Sequence, residues 1–542
     1  SLCFEPLDLL WHGMQFPVWY PYRFSFIVSF WMIFLAALAL KENQFRLKPP
    51  QALICLGIFT AGLSYVYFNS KSFDYVSKQV ILFTALFNVL LLLVLTVKKT
   101  PLNQRLTPLV IFLLVCFEML ANTTYSLNNI SYLTQAEFAG PTKVIAQDQK
   151  KLTQLDPGFY RTAQLYSRTK DDGLAHDLKT GSYFSSALEK SIPDFYGQLG
   201  QPDGDNYVGY YNGTLISDSL LDMKYLLQAK DKAELVLSSS AKVDLNVTSY
   251  RPDTKLYALR AQTAQTRIYQ NPYAIGLGYS ADKKLKQLKV LYDQPLTYQT
   301  NWLNAATGSA NTTKYFYAAN FNEVVFQNTK KQTNLTGAFF KKTDLAKPAQ
   351  IIFKFTPETD DPYYLTLGAS LDGDSATWYL GSKEYPYYKT FRHTVVLNPT
   401  VSGSDDEAVI TAKFKKNSLW LENFVLYRMD RSLVEQKLKQ LQKNSWQLTK
   451  ATAHRLTGKI DITKSNQLFA TTIPYSKGWQ AKVDGKPVKT YKIQDTFVGF
   501  DIGQGKHQVT LTFTPPGLYL GIVLSLVSLV LVFTLDIRET KA

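Results

Sequence analysis

The chemistry-bearing residues of this sequence gather at its start. The stretch Trp11-His12-Gly13-Met14-Gln15-Phe16-Pro17-Val18-Trp19-Tyr20-Pro21-Tyr22-Arg23-Phe24-Ser25-Phe26 packs aromatic rings, a histidine and an arginine directly ahead of an apolar run. An arginine at the mouth of a membrane helix can grip a phosphate through two parallel hydrogen bonds, and a lipid phosphate lies at that depth. His12 can assist as donor or base. The ordinary reading of the rings is an interfacial aromatic belt, and a lone histidine is more often structural. The belt accounts less well for Arg23, because a positive charge at the outer end opposes the usual bias.

A second candidate is Glu118, the one charge in the apolar run Leu106–Ala121. An intramembrane carboxylate is a functional candidate by default; a glutamate at headgroup level is its plain alternative. Acid pairs recur further on, at Asp171-Asp172, Asp203 with Asp205, Asp360-Asp361, Asp372 with Asp374, and Asp405-Asp406-Glu407. Asp-x-Asp can hold a metal and a sugar nucleotide, and two carboxylates can hydrolyse a glycoside. Asp203-Gly204-Asp205 and Asp372-Gly373-Asp374 sit among turn residues, so turns are the better reading. The histidines (His12, His176, His393, His454, His507) are scattered and no zinc spacing is present.

These residues need elements to position them. Phe24–Leu40, Gln51–Phe68 and Gln79–Val97 are free of charge, Leu106–Ala121 holds only Glu118, and Gly517–Leu535 is again charge-free. Nineteen residues at about 1.5 Å each span about 28 Å, close to a hydrocarbon core. The expectation is five transmembrane helices, four N-terminal and one C-terminal. Lys41, Arg46 and Lys48 follow the first, Lys98, Lys99 and Arg105 follow the third, and Arg538 and Lys541 end the chain. Positive loops stay in the cytoplasm, so the segment between the fourth and fifth helices is expected outside and the C-terminus inside.

That long segment divides by pattern. Pro141–Leu155 has helical spacing, Phe159–Tyr166 reads as a strand, Gly181–Gly197 and Thr214–Ala229 read as helices, and Arg267–Gln270 as a strand. From Gln350 short runs broken by Gly, Pro, Asp and Asn suggest an antiparallel sandwich. Asp430–Lys443 reads as a helix. A second set of strands follows, with Asp484-Gly485 as a hairpin turn. The expected fold class is a multi-domain membrane protein: transmembrane α-helices plus a large extracytoplasmic α/β and β-sandwich region. Its parts are 1–121 (entry segment and four transmembrane helices), 122–300 (mixed α/β), 301–430 (β-sandwich-like), 431–516 (helix plus small β domain) and 517–542 (C-terminal helix and cytoplasmic tail).

Composition agrees. With 542 residues, 46% hydrophobic and 19% charged, the chain is neither disordered, collagen-like nor coiled-coil. The net charge is +16, and the segment outside the spans carries a basic excess. Outside a membrane this suits membrane lipid or an anionic cell-wall polymer rather than nucleic acid; a lysine-rich solvated surface is the plain alternative. Cys3, Cys55 and Cys116 all precede the outer segment, which holds together without disulfides, as on a bacterial surface. No cofactor is expected, though a divalent metal stays open. The chain begins at Ser1, in what reads as an outer loop, so it is expected to be the C-terminal part of a longer protein.

The motifs together resemble the YfhO family of bacterial membrane proteins. They are Trp11-His12-Gly13 through Pro21-Tyr22-Arg23-Phe24-Ser25-Phe26, Phe159-Tyr160-Arg161, Leu221-Asp222-Met223-Lys224-Tyr225-Leu226-Leu227 and Tyr269-Gln270-Asn271-Pro272-Tyr273-Ala274. Gly478-Trp479, Val483-Asp484-Gly485-Lys486, Gly505-Lys506-His507 and Pro515-Pro516-Gly517 continue the order; Gln270 and Gly276 depart mildly from it. The resemblance implies a fold similar to GT-C glycosyltransferases and sugar modification of lipoteichoic acid or other wall polymers in Gram-positive bacteria. The implied donor is a polyprenyl-phosphate sugar. The GT-C catalytic carboxylate belongs to a first outer loop expected upstream of Ser1. Glu5 and Asp8 are poor substitutes, so no catalytic residue is assigned.

On that reading Arg23, with His12, supports the departing lipid phosphate. Two rivals stand beside it. One is a lipid or polymer flippase or transporter with Glu118 as a polar step. The other is a non-enzymatic surface protein whose Gln350–Pro516 region grips carbohydrate.

Overall fold

The computed structural model describes residues 5–14, 24–42, 46–72, 76–98, 100–231, 243, 245–400 and 407–539, with the side chains of 5, 7, 101–104 and 535–539 excepted. The chain divides into two compact units, Ser1–Tyr132 and Leu133–Ala542.

The first unit is helical: α1 (Glu5–Trp11), α2 (Ser25–Glu42), α3 (Pro49–Phe68), α4 (Lys78–Thr96) and α5 (Pro101–Asn128). Ser77 caps α4 by accepting from Val80 N at 3.3 Å. Among the described residues four stretches are long and apolar enough to cross a membrane: Ser25–Glu42, Pro49–Phe68, Lys78–Thr96 and Arg105–Asn128. At 1.5 Å per residue they measure about 27 to 36 Å. Helix α3 packs on α4, and α4 on α5. Phe87 and Phe117 meet at 5.9 Å, and Tyr125 Oη donates to Ser77 Oγ at 2.6 Å. Yet α2 and α3 bury no residue, and α4 buries only Leu92 and Leu95. Apolar surface this extensive takes lipid, not water, as its solvent.

The second unit opens with α6 (Gln135–Leu155). Its start is a capping box: Glu137 N donates to Thr134 Oγ1 at 3.2 Å, and Thr134 N to Glu137 Oε2 at 2.7 Å. The helix lays Val144, Ile145 and Leu152 against Tyr166, Leu227 and Ile268. Behind them is a mixed sheet in the order Arg161–Gln164, Met223–Ala229, Thr266–Gln270, Ala258–Gln262, whose first pair is parallel.

Two expected helices are largely something else. Thr214–Ala229 is a short helix, Leu215–Leu220, followed by the strand Met223–Ala229. Asp222 turns the chain between them in the left-handed region, φ 59°. Leu226 is buried together with Met223, Tyr225 and Leu227, and a short apolar cluster of this kind cannot be told from a helix by periodicity. In Gly181–Gly197 only Ser191–Gln198 is helical, and Tyr183–Phe184 pairs with Tyr207–Val208 instead.

The sandwich is present. One sheet runs Phe316–Ala319, Val425–Met429, Tyr363–Leu367, Val395–Thr400; the other runs Glu323–Gln327, Gln350–Phe355, Ala408–Phe414, Ala376–Leu380, Lys383–Glu384. Phe353, Leu365, Leu397, Ile410 and Phe424 belong to their common core. Beyond the Arg431–Gln442 helix, five strands pair in the order Gln447–Ala451, Arg455–Ile462, Gly505–Phe513, Trp479–Val483, Lys486–Val488. Asp484 (φ 49°) and Gly485 (φ 80°) form the two-residue turn between the last two.

Packing crosses the segment limits expected at 300 and 430. Gly278–Asp282 pairs with Gln467–Pro474, and one core takes in Ile216, Trp302, Leu438 and Phe497. Leu518–Glu539 is a 22-residue helix. Its described apolar stretch, Leu518–Thr534, measures about 26 Å.

Candidate functional site

Of the residues singled out by sequence, His12 closes α1. Its Nδ1 lies 2.8 Å from the Asp8 carbonyl oxygen and 3.4 Å from Asp8 Oδ1. A ring nitrogen facing a carbonyl carries the hydrogen, which leaves Nε2 with the lone pair in the neutral ring. Nε2 is buried with no hydrogen-bond partner among the described residues. The ring packs on Phe24, 5.0 Å between centroids. Arg23 lies outside the described residues, as do Phe16, Trp19, Tyr20 and Tyr22. Glu118 is half-buried on α5, ten residues, or about 15 Å, before the helix ends at Asn128. It therefore lies within the apolar stretch Arg105–Asn128, not at its end.

Several of the motifs on which the resemblance rests converge in the second unit. Arg161 Nη1 donates to the Leu221 carbonyl at 3.0 Å and to Thr472 Oγ1 at 2.6 Å; Nη2 donates to the Thr472 carbonyl at 2.8 Å. Asp222 Oδ1 accepts from Gly276 N at 3.1 Å, and Asn271 Nδ2 donates to Ser219 Oγ at 3.2 Å. Burial pushes the Asp222 carboxyl up to about 7 against the pull of Arg161 and Lys224. This corner ties the mixed sheet to the Gln467–Pro474 strand, so these motifs are structural.

Sequence reading missed a buried ion network. Arg251 Nη2 lies 2.7 Å from Asp218 Oδ2 and 2.8 Å from Asp253 Oδ2, and all three side chains are at most 1% exposed. Tyr210 and Tyr257 each donate to Asp218 at 2.7 Å, and Tyr364 donates to Asp253 at 3.0 Å. Burial disfavours the guanidinium charge, but the two carboxylates outweigh it and hold Arg251 firmly protonated. Asp253 is close to Arg251 in sequence, but Asp218 and Tyr364 are distant and carry no local signal.

The acid pairs are engaged by the fold. Arg392 binds Asp203 at 2.6 Å and Asp205 at 2.8 Å. Asp361 pairs with Arg428. Asp372 Oδ1 accepts from Asp374 N at 3.1 Å and Ser375 Oγ at 2.9 Å, a turn as expected. Asp405 and Asp406 lie outside the described residues. Among the described residues no group of three or more His, Cys, Asp or Glu could hold a metal ion.

A cleft of about 1030 Å³ opens in the second unit between Gln228–Asp231, Leu245–Tyr250 and Leu380–Thr390. It is lined by tyrosines 250, 385, 387 and 388. The run Glu384-Tyr385-Pro386-Tyr387-Tyr388-Lys389 was the one sequence signal for it.

The helices and sheets define an integral membrane protein with a large sheet-rich region. More narrowly, the chain belongs to the family described as bacterial membrane protein YfhO, which it matches over residues 1–525. An uncharacterized protein YfhO of Bacillus subtilis (strain 168) is 30% identical over 149 residues, a match covering 27% of this chain and 16% of that protein. Among solved structures, a glycosyl hydrolase family 2 member from Bacteroides cellulosilyticus DSM 14838 matches 31% of this chain and 24% of its own, at 9% identity and TM-score 0.13. A β-glucuronidase from Ruminococcus gnavus in complex with D-glucuronic acid matches 31% and 34%, also at 9% and 0.13. These likenesses are too slight to carry a fold or an activity across.

Proposed function

We propose that the chain is part of a GT-C-type glycosyltransferase that moves a sugar from a polyprenyl-phosphate donor to a cell-envelope polymer such as lipoteichoic acid. The observation that carries this is family membership over residues 1–525, entrance segment included. In the reaction an acceptor hydroxyl attacks the anomeric carbon. The new C–O bond forms as the bond to the lipid phosphate breaks, the phosphate leaves with the electron pair, and a carboxylate outside this chain takes the proton. Arg23 meets the growing phosphate charge. His12, when its ring is protonated, donates a hydrogen bond from Nε2 to the leaving phosphate, with Nδ1 held by the Asp8 carbonyl. The large unit faces outward, in keeping with the basic residues Lys41, Arg46, Lys48, Lys98 and Arg105 on the opposite side.

Deleting the gene and analysing the envelope polymers by NMR tests the reading in the cell. One polymer loses its sugar substituent, and the full-length gene restores it. Polymers unchanged in sugar content would overturn it. The flippase alternative has one specific observation in its favour, Glu118 within an apolar stretch.

A further inference from the structure

Two of the motifs, Gly478-Trp479 and Pro515-Pro516-Gly517, belong neither to the Asp222 corner nor to the Arg251 network. They meet where the sheet-rich unit runs into its last helix. Thr514 N donates to the Gly478 carbonyl at 3.0 Å. A Cβ on Gly478 would lie 2.3 Å from the Thr514 carbonyl oxygen and 2.7 Å from the Phe513 ring. Only glycine lets the two segments come this close. The approach sets the Trp479 ring on Phe513, 5.1 Å between centroids.

These two rings line a groove of about 330 Å³, at the lower end of the range for ligand sites. Leu188, Ile192 and Tyr475 line it with them. All five are only partly buried, and Tyr183, on the same groove, is 38% exposed, so ring and aliphatic surface is open to an occupant. Glu189 is the one carboxylate among the lining residues. Exposed Lys190 and Lys477 directly follow the lining residues Glu189 and Ser476.

What covers the groove follows from its place in the chain. Phe513 precedes the apolar helix, which starts at Leu518, by five residues. Five residues reach at most about 18 Å, and the turn that Leu518 N closes on the Pro515 carbonyl at 3.2 Å shortens that reach. Gly517–Leu535 carries no charge, so the hydrocarbon layer begins near the first turn of this helix. The groove is thereby tethered beside the headgroups. Tryptophan and tyrosine accumulate at that level, and lysines extend their charge to phosphates there. Lipid is always present at such a place, whereas a soluble partner or a polymer has to be recruited.

We infer that the groove between residues 183–192 and 473–479 is a lipid-binding site at the membrane surface. It seats a hydrocarbon chain of a membrane phospholipid against Trp479 and Phe513, with Lys190 and Lys477 serving the phosphate. This does not rest on the transfer reaction: a protein that seats lipid and transfers no sugar would sustain this inference and sink the other.

The test uses the full-length protein with its native cysteines replaced and bimane on a cysteine at exposed Ala187, a lining residue. It is reconstituted in vesicles of phosphatidylglycerol and phosphatidylcholine. Lipids brominated on their acyl chains are expected to remove about half of the bimane emission or more, and aqueous iodide to remove little, as for a site filled by lipid. Trp479→Ala is expected to reverse the two. Tyr183→Asp does the same from an exposed position, where the fold tolerates it, by setting a charge against the chain. Quenching by iodide and not by brominated lipid would overturn the site. So would protection from both, which assigns the groove to another occupant, or a folded Tyr183→Asp variant that behaves like the parent.

Discussion

Arg251 Nη2 lies 2.7 Å from Asp218 Oδ2, in a place from which water is all but excluded. The pair, with Asp253 and Tyr364, fastens the sandwich strand Tyr363–Leu367 to the α/β part of the same unit. It also fixes the chain that floors the tyrosine-lined cleft. Breaking a buried pair by removing one partner leaves the other charge uncompensated, at a cost of about 3–5 kcal/mol. Arg251→Met is therefore expected to lower the stability of the large unit by that order in denaturant melts followed by tryptophan fluorescence. A loss under about 1 kcal/mol would mean that the network is dispensable.

Asp222 gives a pH-dependent prediction. Its folded carboxyl titrates at about 7, above its ordinary value of 3.8, because it is buried. The folded state thus holds the proton more tightly than the unfolded state. This group's stabilising contribution is full below about pH 4 and falls as pH rises towards 7, by about 1.4 kcal/mol per unit inside that window. Asp222→Asn removes this term, and asparagine tolerates the left-handed backbone at φ 59°. The variant should gain on the parent in melting temperature as pH is raised from 4 to 8. An advantage that is flat with pH would assign the titration elsewhere.

Sidedness can be read by cysteine labelling. With Cys3, Cys55 and Cys116 replaced, a cysteine at exposed Lys416 should react with a membrane-impermeant maleimide on intact cells. One at Lys98 should react only after the cells are opened. The reverse pattern would invert the topology and remove the large unit from the envelope polymers.

Glu118 separates transfer from transport. If its carboxyl is a step in a lipid pathway, Glu118→Gln abolishes movement of lipid across vesicles. On the transfer reading, glycosyl transfer by the same variant stays within about threefold of the parent, a change of under 1 kcal/mol in barrier. A collapse of transfer would place Glu118 in the reaction.

How much was legible follows the range of the interactions. The apolar spans rest on composition, and the Asp484-Gly485 turn rests on two adjacent residues, so both could be read directly. The sandwich strands showed because Gln350–Phe355 alternates, with every second residue buried. Met223–Ala229 misled because Leu226 is buried as well as Met223, Tyr225 and Leu227, which blurs the alternation of a strand. The Arg251 network was out of reach, since beyond neighbouring Asp253 its partners, Asp218 and Tyr364, are distant in sequence. The tyrosine run at 385–388 was visible as composition, but its cleft needed the 245–250 segment to be brought opposite.

The central claim is tested most directly by reconstituting the full-length protein in liposomes with a radiolabelled polyprenyl-phosphate sugar and lipoteichoic acid, and measuring label on the polymer. The account predicts that label appears, that polyprenyl phosphate is released in equal amount, and that Arg23→Ala slows both at least a hundredfold, about 2.7 kcal/mol in barrier. A protein that moves no label with any donor sugar tried, or an Arg23→Ala variant as fast as the parent, would contradict it.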